Sequence, residues 1–274
     1  MEEDKHMKVI DVLGMHITDY SIKEAIKLAL KYAGSGAMNT IFYVSSQVLL
    51  DAGDNPQQKE WLQSMDLILY GEPTVLDVLG ERSRERKNEI KQDEFLHEFI
   101  KKIARGRQGV YLILDTQEKA DALEQYLTEL HGSIQIVGKY IWEDDTSKAE
   151  DLVNELNDVS PDVIISKLPN VVQQRLICEN RRMINAHVWV ALLYERVINK
   201  KKKVTFGSKL DWMFYKRLFK RKVNKYEIEK AESEKAENEN VEGDNTDAAM
   251  AEQPEPTEMS GAMEKDAVEE KAAD

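Results

Sequence analysis

The side chains best suited to metal or nucleophilic chemistry are five histidines, His6, His16, His97, His131 and His187, and one cysteine, Cys178. Metal sites bring such ligands together in pairs a few residues apart. No two of these six lie that close, so their spacing points to no metal site and calls for no cofactor. A lone cysteine excludes an internal disulfide and suits a reducing compartment. On a predicted helix with no histidine beside it, Cys178 reads as a small packed apolar residue.

A second group of candidates lies near the end of the chain. Lys200–Lys203, Lys209, Lys216, Arg217, Lys220, Arg221, Lys222 and Lys225 surround Trp212, Phe214, Tyr215, Leu218 and Phe219. Cations interleaved with aromatic and apolar residues suit the surface of an anionic bilayer, where each cation adds about 1 kcal/mol. The membrane contacts expected are Trp212, Phe214, Lys216, Arg217, Lys220 and Arg221. A basic helix packed on the domain or on the acidic tail fits the same residues.

Short apolar runs alternate with amphipathic segments along the rest of the chain. That pattern predicts an α/β domain, a Rossmann-like parallel sheet with helices on both faces. Strands are expected at 9–13, 40–44, 66–70, 109–114, 134–138, 162–166 and 187–193. The run at 109–114 should be central, and the run at 187–193 should close the sheet. Ser21 and Glu24 form a capping box for a helix at its start. Further helices are expected near 46–52, 56–65, 74–80, 93–105, 116–130, 147–157, 171–184 and 210–225. The charged stretch Glu81–Lys91 reads as a mobile loop, and Gly132 as the cap ending the 116–130 helix.

Charge divides the chain. The protein has a net charge of −13, all of it in residues 226–274, which hold 17 acidic residues and 4 lysines. Residues 1–225 are neutral overall. The acidic segment has too few apolar side chains to offset an ordering cost of roughly 1–2 kcal/mol per residue, and reads as a disordered tail. The organisation expected is a flexible N-terminus at 1–7, a folded domain at 8–208, a basic aromatic segment at 209–225 and the tail at 226–274. A folded part without net positive charge argues against nucleic acid. No apolar run reaches the roughly 20 residues of a membrane-spanning helix and no leader is evident, so the expected location is cytoplasmic, with peripheral attachment to the inner face of the plasma membrane as an option.

The order and spacing of the elements resemble the WecG/TagA/CpsF glycosyltransferases. Val9–Gly14 followed by Ser21–Ala25 looks like that family's opening strand and helix. Met65-Asp66-Leu67-Ile68-Leu69, Ile136-Val137-Gly138 and Lys209-Leu210-Asp211-Trp212-Met213 are similar to later segments. The resemblance implies a hexosyl or N-acetylhexosaminyl transfer, independent of metal, from a UDP-sugar to a polyprenyl-diphosphate-linked acceptor. It also implies site residues at the strand ends. Glu72 lies one position past the place of the family's proposed catalytic Asp, and Ser45, Gln47, Gln173 and Glu195 fall on substrate-binding segments.

The departures cluster on those same segments. Tyr43–Gln47 replaces Thr-x-Asn-x-Glu, and Tyr70-Gly71-Glu72 replaces Pro-Asp-Gly. Leu114-Asp115 replaces a Gly-Gly pair that would let a phosphate approach bare backbone. Lys167–Gln174 keeps only Gln173 of its motif, and Ala191–Glu195 is conservative only at Tyr194 and Glu195. Base catalysis and leaving-group stabilisation each contribute a factor of roughly 10²–10⁴, so several losses together leave little acceleration. Two readings follow. One is a weakly active or non-catalytic relative that binds or regulates, partnered by an active paralogue or a second copy. The other is an active transferase using Glu72 as a displaced base.

Overall fold

The computed structural model describes residues 8–80, 83–143, 148–194 and 206–249. The chain divides into two units, Met1–Tyr226 and Glu227–Asp274. The first opens with an antiparallel hairpin of β1 (Lys8–Val12) and β2 (Met15–Asp19). Leu13 and Gly14 make its turn at positive φ, and Asp11 Oδ1 accepts the Gly14 N–H at 2.9 Å. The return strand was not foreseen, although Met15 and Ile17 inward with His16 outward is the alternation a strand requires.

The remaining elements are α1 (Ile22–Ala33), β3 (Asn39–Val44), α2 (Ser46–Asp54), α3 (Pro56–Gln63), β4 (Leu67–Tyr70), α4 (Pro73–Val78), α5 (Arg84–Gln92), α6 (Glu94–Arg105), β5 (Gly109–Leu114), α7 (Gln117–Leu130), β6 (Gln135–Ile141), α8 (Ala149–Val159), β7 (Val163–Lys167), α9 (Asn170–Asn180), β8 (Val188–Ala191) and α10 (Phe206–Ala249). The capping box is present: Ser21 Oγ accepts the Glu24 N–H, and the Ser21 N–H donates to the Glu24 carboxylate at 2.8 Å. β3 to β8 form one six-stranded sheet in the order β4-β3-β8-β7-β5-β6, and every pairing is parallel. Helices α1, α6 and α7 pack side by side in one layer, and α3, α9 and α8 in another. Strands β5, β7 and β8 are buried at every position, as two covered faces demand.

Three expectations about elements change. The 81–91 stretch is not a loop where it is described, since α5 runs through it. Ser83 caps α5, Ile90 is buried, and Arg86 donates to Asp19 Oδ1 at 2.8 Å and to Glu89 Oε2 at 2.6 Å. One buried apolar side chain in nine residues hides the helical period. Gly132 does not cap α7; His131 does, with its N–H on Leu127 O at 3.0 Å. The last strand, β8, lies between β3 and β7 rather than at an edge, and β5 stands fifth of six, still fully buried.

Helix α10 begins in the first unit, where Phe219 and Val223 are buried against the core. Lys216 pairs with Asp77 at 2.8 Å, Lys222 pairs with Asp54, and Tyr226 donates to Asp11 Oδ2 at 3.2 Å. In the second unit, residues 227–249 are helical and side chains 227–235 are all exposed. A helix with no packed face is marginal in water, which agrees with a tail that has nothing to bury.

Candidate nucleotide crevice and carboxyl edge

In parallel α/β sheets, ligands bind beyond the carboxyl ends of the strands, where the chain leaves two neighbours in opposite directions. Here β5 leads through α7 outward to β6, while β7 leads through α9 the other way to β8. The crevice therefore lies between β5 and β7. Four side chains meet at this edge. Lys119, in the first turns of α7, donates to Asp115 Oδ2 at 2.7 Å and to the Tyr194 hydroxyl at 2.9 Å. That hydroxyl donates to Asp115 Oδ2, also at 2.9 Å. Lys167, at the end of β7 and 4% exposed, donates to the Tyr194 carbonyl. The Lys119 and Lys167 ammonium groups lie 4.3 and 5.2 Å from the Tyr194 ring centroid, within cation–π range.

The electrostatics of this group are balanced internally. Burial would raise the Asp115 carboxyl, but the hydrogen bonds from Lys119 and Tyr194 outweigh it and hold the group below the usual carboxylate range. Burial would likewise lower Lys119, and its bonds to Asp115 and Tyr194 reverse the sign. The two cations that could stabilise a departing diphosphate are present, but their partners are the protein's own carboxylate, phenol and carbonyl.

Farther along the edge, Glu72 follows β4 and meets α2, which follows β3. The Ser46 N–H donates to Glu72 Oε1 at 2.7 Å, and the Ser46 hydroxyl donates to the same oxygen. Ser45 is buried and caps α2, its Oγ accepting the Val48 N–H at 3.3 Å. Gln47 donates to Asp51 at 2.6 Å. Gln173, fully buried at the start of α9, accepts from the Ser166 hydroxyl at 2.7 Å and donates to Leu192 O at 3.2 Å. Ser166 also accepts the Trp189 indole N–H at 2.8 Å. A Cβ added at Gly71 would overlap the buried Leu193 side chain, so the end of β8 lies directly on the β4 loop.

Glu72, Ser45 and Gln173 thus share one sheet edge, each within a network of internal hydrogen bonds. Glu195 lies outside the described residues, as does the Trp212 side chain. In the sequence, Leu114-Asp115 stands out only as a departure and Tyr194 only as a conservative replacement. Neither is connected there to Lys119, although an acid and a lysine four apart at a helix start is a local signal. A recess between β2, β4, α5 and α6, lined by Tyr20, Tyr43, Tyr70, Arg86 and Asp93 among others, contains none of the Glu72, Ser45, Gln173, Lys119 or Tyr194 side chains. Among the described residues no cluster of His, Cys, Asp and Glu could hold a metal ion. Cys178 is half-buried with its Sγ 3.3 Å from Ser64 Oγ, and burial pushes its thiol up.

A fully parallel sheet between two helical layers, with a switch-point crevice and a carboxylate on the same edge, defines a Rossmann-like scaffold. Residues 10–192 match the glycosyl transferase WecG/TagA/CpsF family, and the chain belongs to that family. Membership gives it a glycosyltransferase-like role in polysaccharide biosynthesis, in a family that in general joins a nucleotide-sugar donor to a lipid-linked acceptor. A search of curated proteins finds no match. Among the described residues, no helix is long and apolar enough to cross a membrane.

Proposed function

We propose that this protein works in cell-surface polysaccharide biosynthesis as a weakly active or non-catalytic member of its family, binding or regulating rather than transferring. Its partner would be an active paralogue or a second copy. The observation that carries this reading is the setting of Glu72. A general base must present a free lone pair to the acceptor hydroxyl. Glu72 Oε1 is taken by the first backbone N–H and the first hydroxyl of α2, the work of a helix-capping carboxylate, which leaves one oxygen of the carboxylate for an acceptor hydroxyl. Gln173 and Ser45 are likewise engaged in bonds that hold neighbouring elements together.

The second reading is active transfer from a UDP-sugar to a polyprenyl-diphosphate-linked acceptor. It is favoured by the position of Glu72 on the same sheet edge as Ser45 and Gln173. One assay separates the two. Purified full-length protein is incubated with radiolabelled UDP-N-acetylhexosamines and a polyprenyl-diphosphate-linked acceptor. No label in the lipid fraction above background is expected. Incorporation that disappears in Glu72→Gln would establish the active reading.

Placement of the basic segment supports peripheral attachment to an anionic membrane. Phe214, Arg217, Leu218 and Arg221 recur at helical spacing on one exposed face of α10, with Phe214 64% exposed, while Phe219 and Val223 turn inward. Lys220 is exposed too, whereas Lys216 is engaged with Asp77. Co-sedimentation with phosphatidylglycerol vesicles should be strong at low salt, weaken as salt rises and fail in Phe214→Ser/Arg217→Ser/Arg221→Ser. Binding unaffected by salt or by these changes would remove the attachment.

A further inference from the structure

The crevice between β5 and β7 carries the observation that goes furthest. Two ammonium groups reach its carboxyl edge from different elements, Lys119 from α7 and Lys167 from the end of β7. An anion-binding crevice in this fold would present just such cations beside a helix N-terminus. Both are already engaged. Asp115 sits immediately before the Thr116 cap of α7, where a negative charge is favoured, and Lys119 binds its carboxylate. Tyr194 reaches over from the end of β8, bonds Asp115 and Lys119 through its hydroxyl, and gives its ring and carbonyl to the two lysines.

We propose that Asp115 and Tyr194 are a built-in occupant of this crevice: the carboxylate takes the place of a phosphate and the tyrosine covers the cations that would receive a nucleoside diphosphate. This deepens the non-catalytic reading, on which it rests, by naming the residues that keep the donor out. The physical reasons are charge and space. A diphosphate that reaches Lys119 also meets the Asp115 carboxylate bonded to it, and like charges at contact repel strongly where water is partly excluded. It must also displace the Tyr194 ring, losing two hydrogen bonds and two cation–π contacts at once. Nothing in the framework itself has to change for the crevice to open: both residues lie in loops that follow strands, and neither contributes to a strand pairing.

The test uses full-length protein and UDP as the probe, with inorganic pyrophosphate alongside it, followed by calorimetric titration. Wild type is expected to give no binding up to millimolar UDP. Asp115→Gly/Tyr194→Ala should gain affinity by at least tenfold, and Asp115→Asn, which keeps the shape and drops the charge, should gain a smaller part of it. Adding Lys119→Ala to the double variant should abolish the gain. Circular dichroism and a cooperative melt establish that each variant is folded, and Asp115→Asn serves should the double variant not fold. Folded variants that remain silent toward UDP and pyrophosphate would overturn the proposal while leaving the non-catalytic reading in place. Wild type binding UDP as tightly as the variants would overturn it too, and the transfer assay then decides the reading of function independently. Gain that survives Lys119→Ala would place the ligand elsewhere and is equally fatal.

Discussion

At the amino end of the sheet, Asp66 accepts the backbone N–H and the hydroxyl of Thr40, both at 2.8 Å, tying β4 to β3. Asp162 accepts the Gly109 N–H at 2.7 Å, tying β7 to β5. At the carboxyl end, Glu72 accepts the backbone N–H and the hydroxyl of Ser46, and Asp115 accepts from Lys119 and Tyr194. The two ends bond their carboxylates in the same manner. In an active enzyme of this architecture they differ: the amino end is closed for stability, while the carboxyl end keeps polar groups available for substrate at a cost in stability. Here that difference has shrunk. On the proposed reading, the internal bonding of the carboxyl edge serves as framework.

If the edge is framework, removing its polar groups should lower stability, and the largest loss should come from Gln173. Gln173→Ala leaves the Ser166 hydroxyl, the Leu168 N–H and the Leu192 carbonyl without this partner in a fully buried place. Unsatisfied buried groups and the cavity together predict a loss of about 3 kcal/mol by urea titration. A substrate-contacting glutamine would behave otherwise, and an unchanged midpoint would break the comparison at its firmest point.

A matched pair sharpens it. Asp66→Ala at the amino end should cost roughly 1–3 kcal/mol, since the Thr40 N–H loses its acceptor. Glu72→Ala at the carboxyl end should cost about 1 kcal/mol, the usual effect of losing a helix cap. Both melting temperatures should fall. Residues held for catalysis often behave in the opposite sense, so a Glu72→Ala protein that melts at or above wild type would restore Glu72 as a base held ready.

The framework was legible because its signals are local. Apolar runs such as Gly109–Leu114, the Ser21/Glu24 box and the break at Gly14 each sit within a few residues. β2 was missed because two inward residues make a short alternation, and α5 because its anchors, Asp19 and the Tyr20 carbonyl, lie far back in the chain. The carboxyl edge was legible only as a set of departures. What the substituted residues do depends on partners distant in sequence. Ser46 and Glu72 are 26 positions apart, and Asp115 and Tyr194 are 79 apart. A strand end shows which residue type is present but not which loop from another strand will meet it.

The smallest expected effect compares the carboxyl edge with the contact holding α10. Asp77, in α4, is held below the usual carboxylate range by hydrogen bonds from Lys216 of α10 and Lys87 of α5, as Asp115 is by Lys119 and Tyr194 after burial is overcome. A carboxyl depressed in the folded state stabilises it above the unfolded pKa of about 3.9 and loses that contribution as pH falls through the lower folded value. The difference in urea midpoint between wild type and Asp77→Asn should therefore be present at pH 6 and fade below about pH 4. As a partly exposed pair it should be worth well under about 1 kcal/mol and shrink in salt. The Asp115→Asn difference should fade over the same acidic range but resist salt better, because the Asp115 side chain is 20% exposed against 35% for Asp77. Equal salt sensitivity at the two places would mean that the crevice is as open to water as the outer contact, and the carboxyl edge would then be a surface rather than a sealed part of the framework.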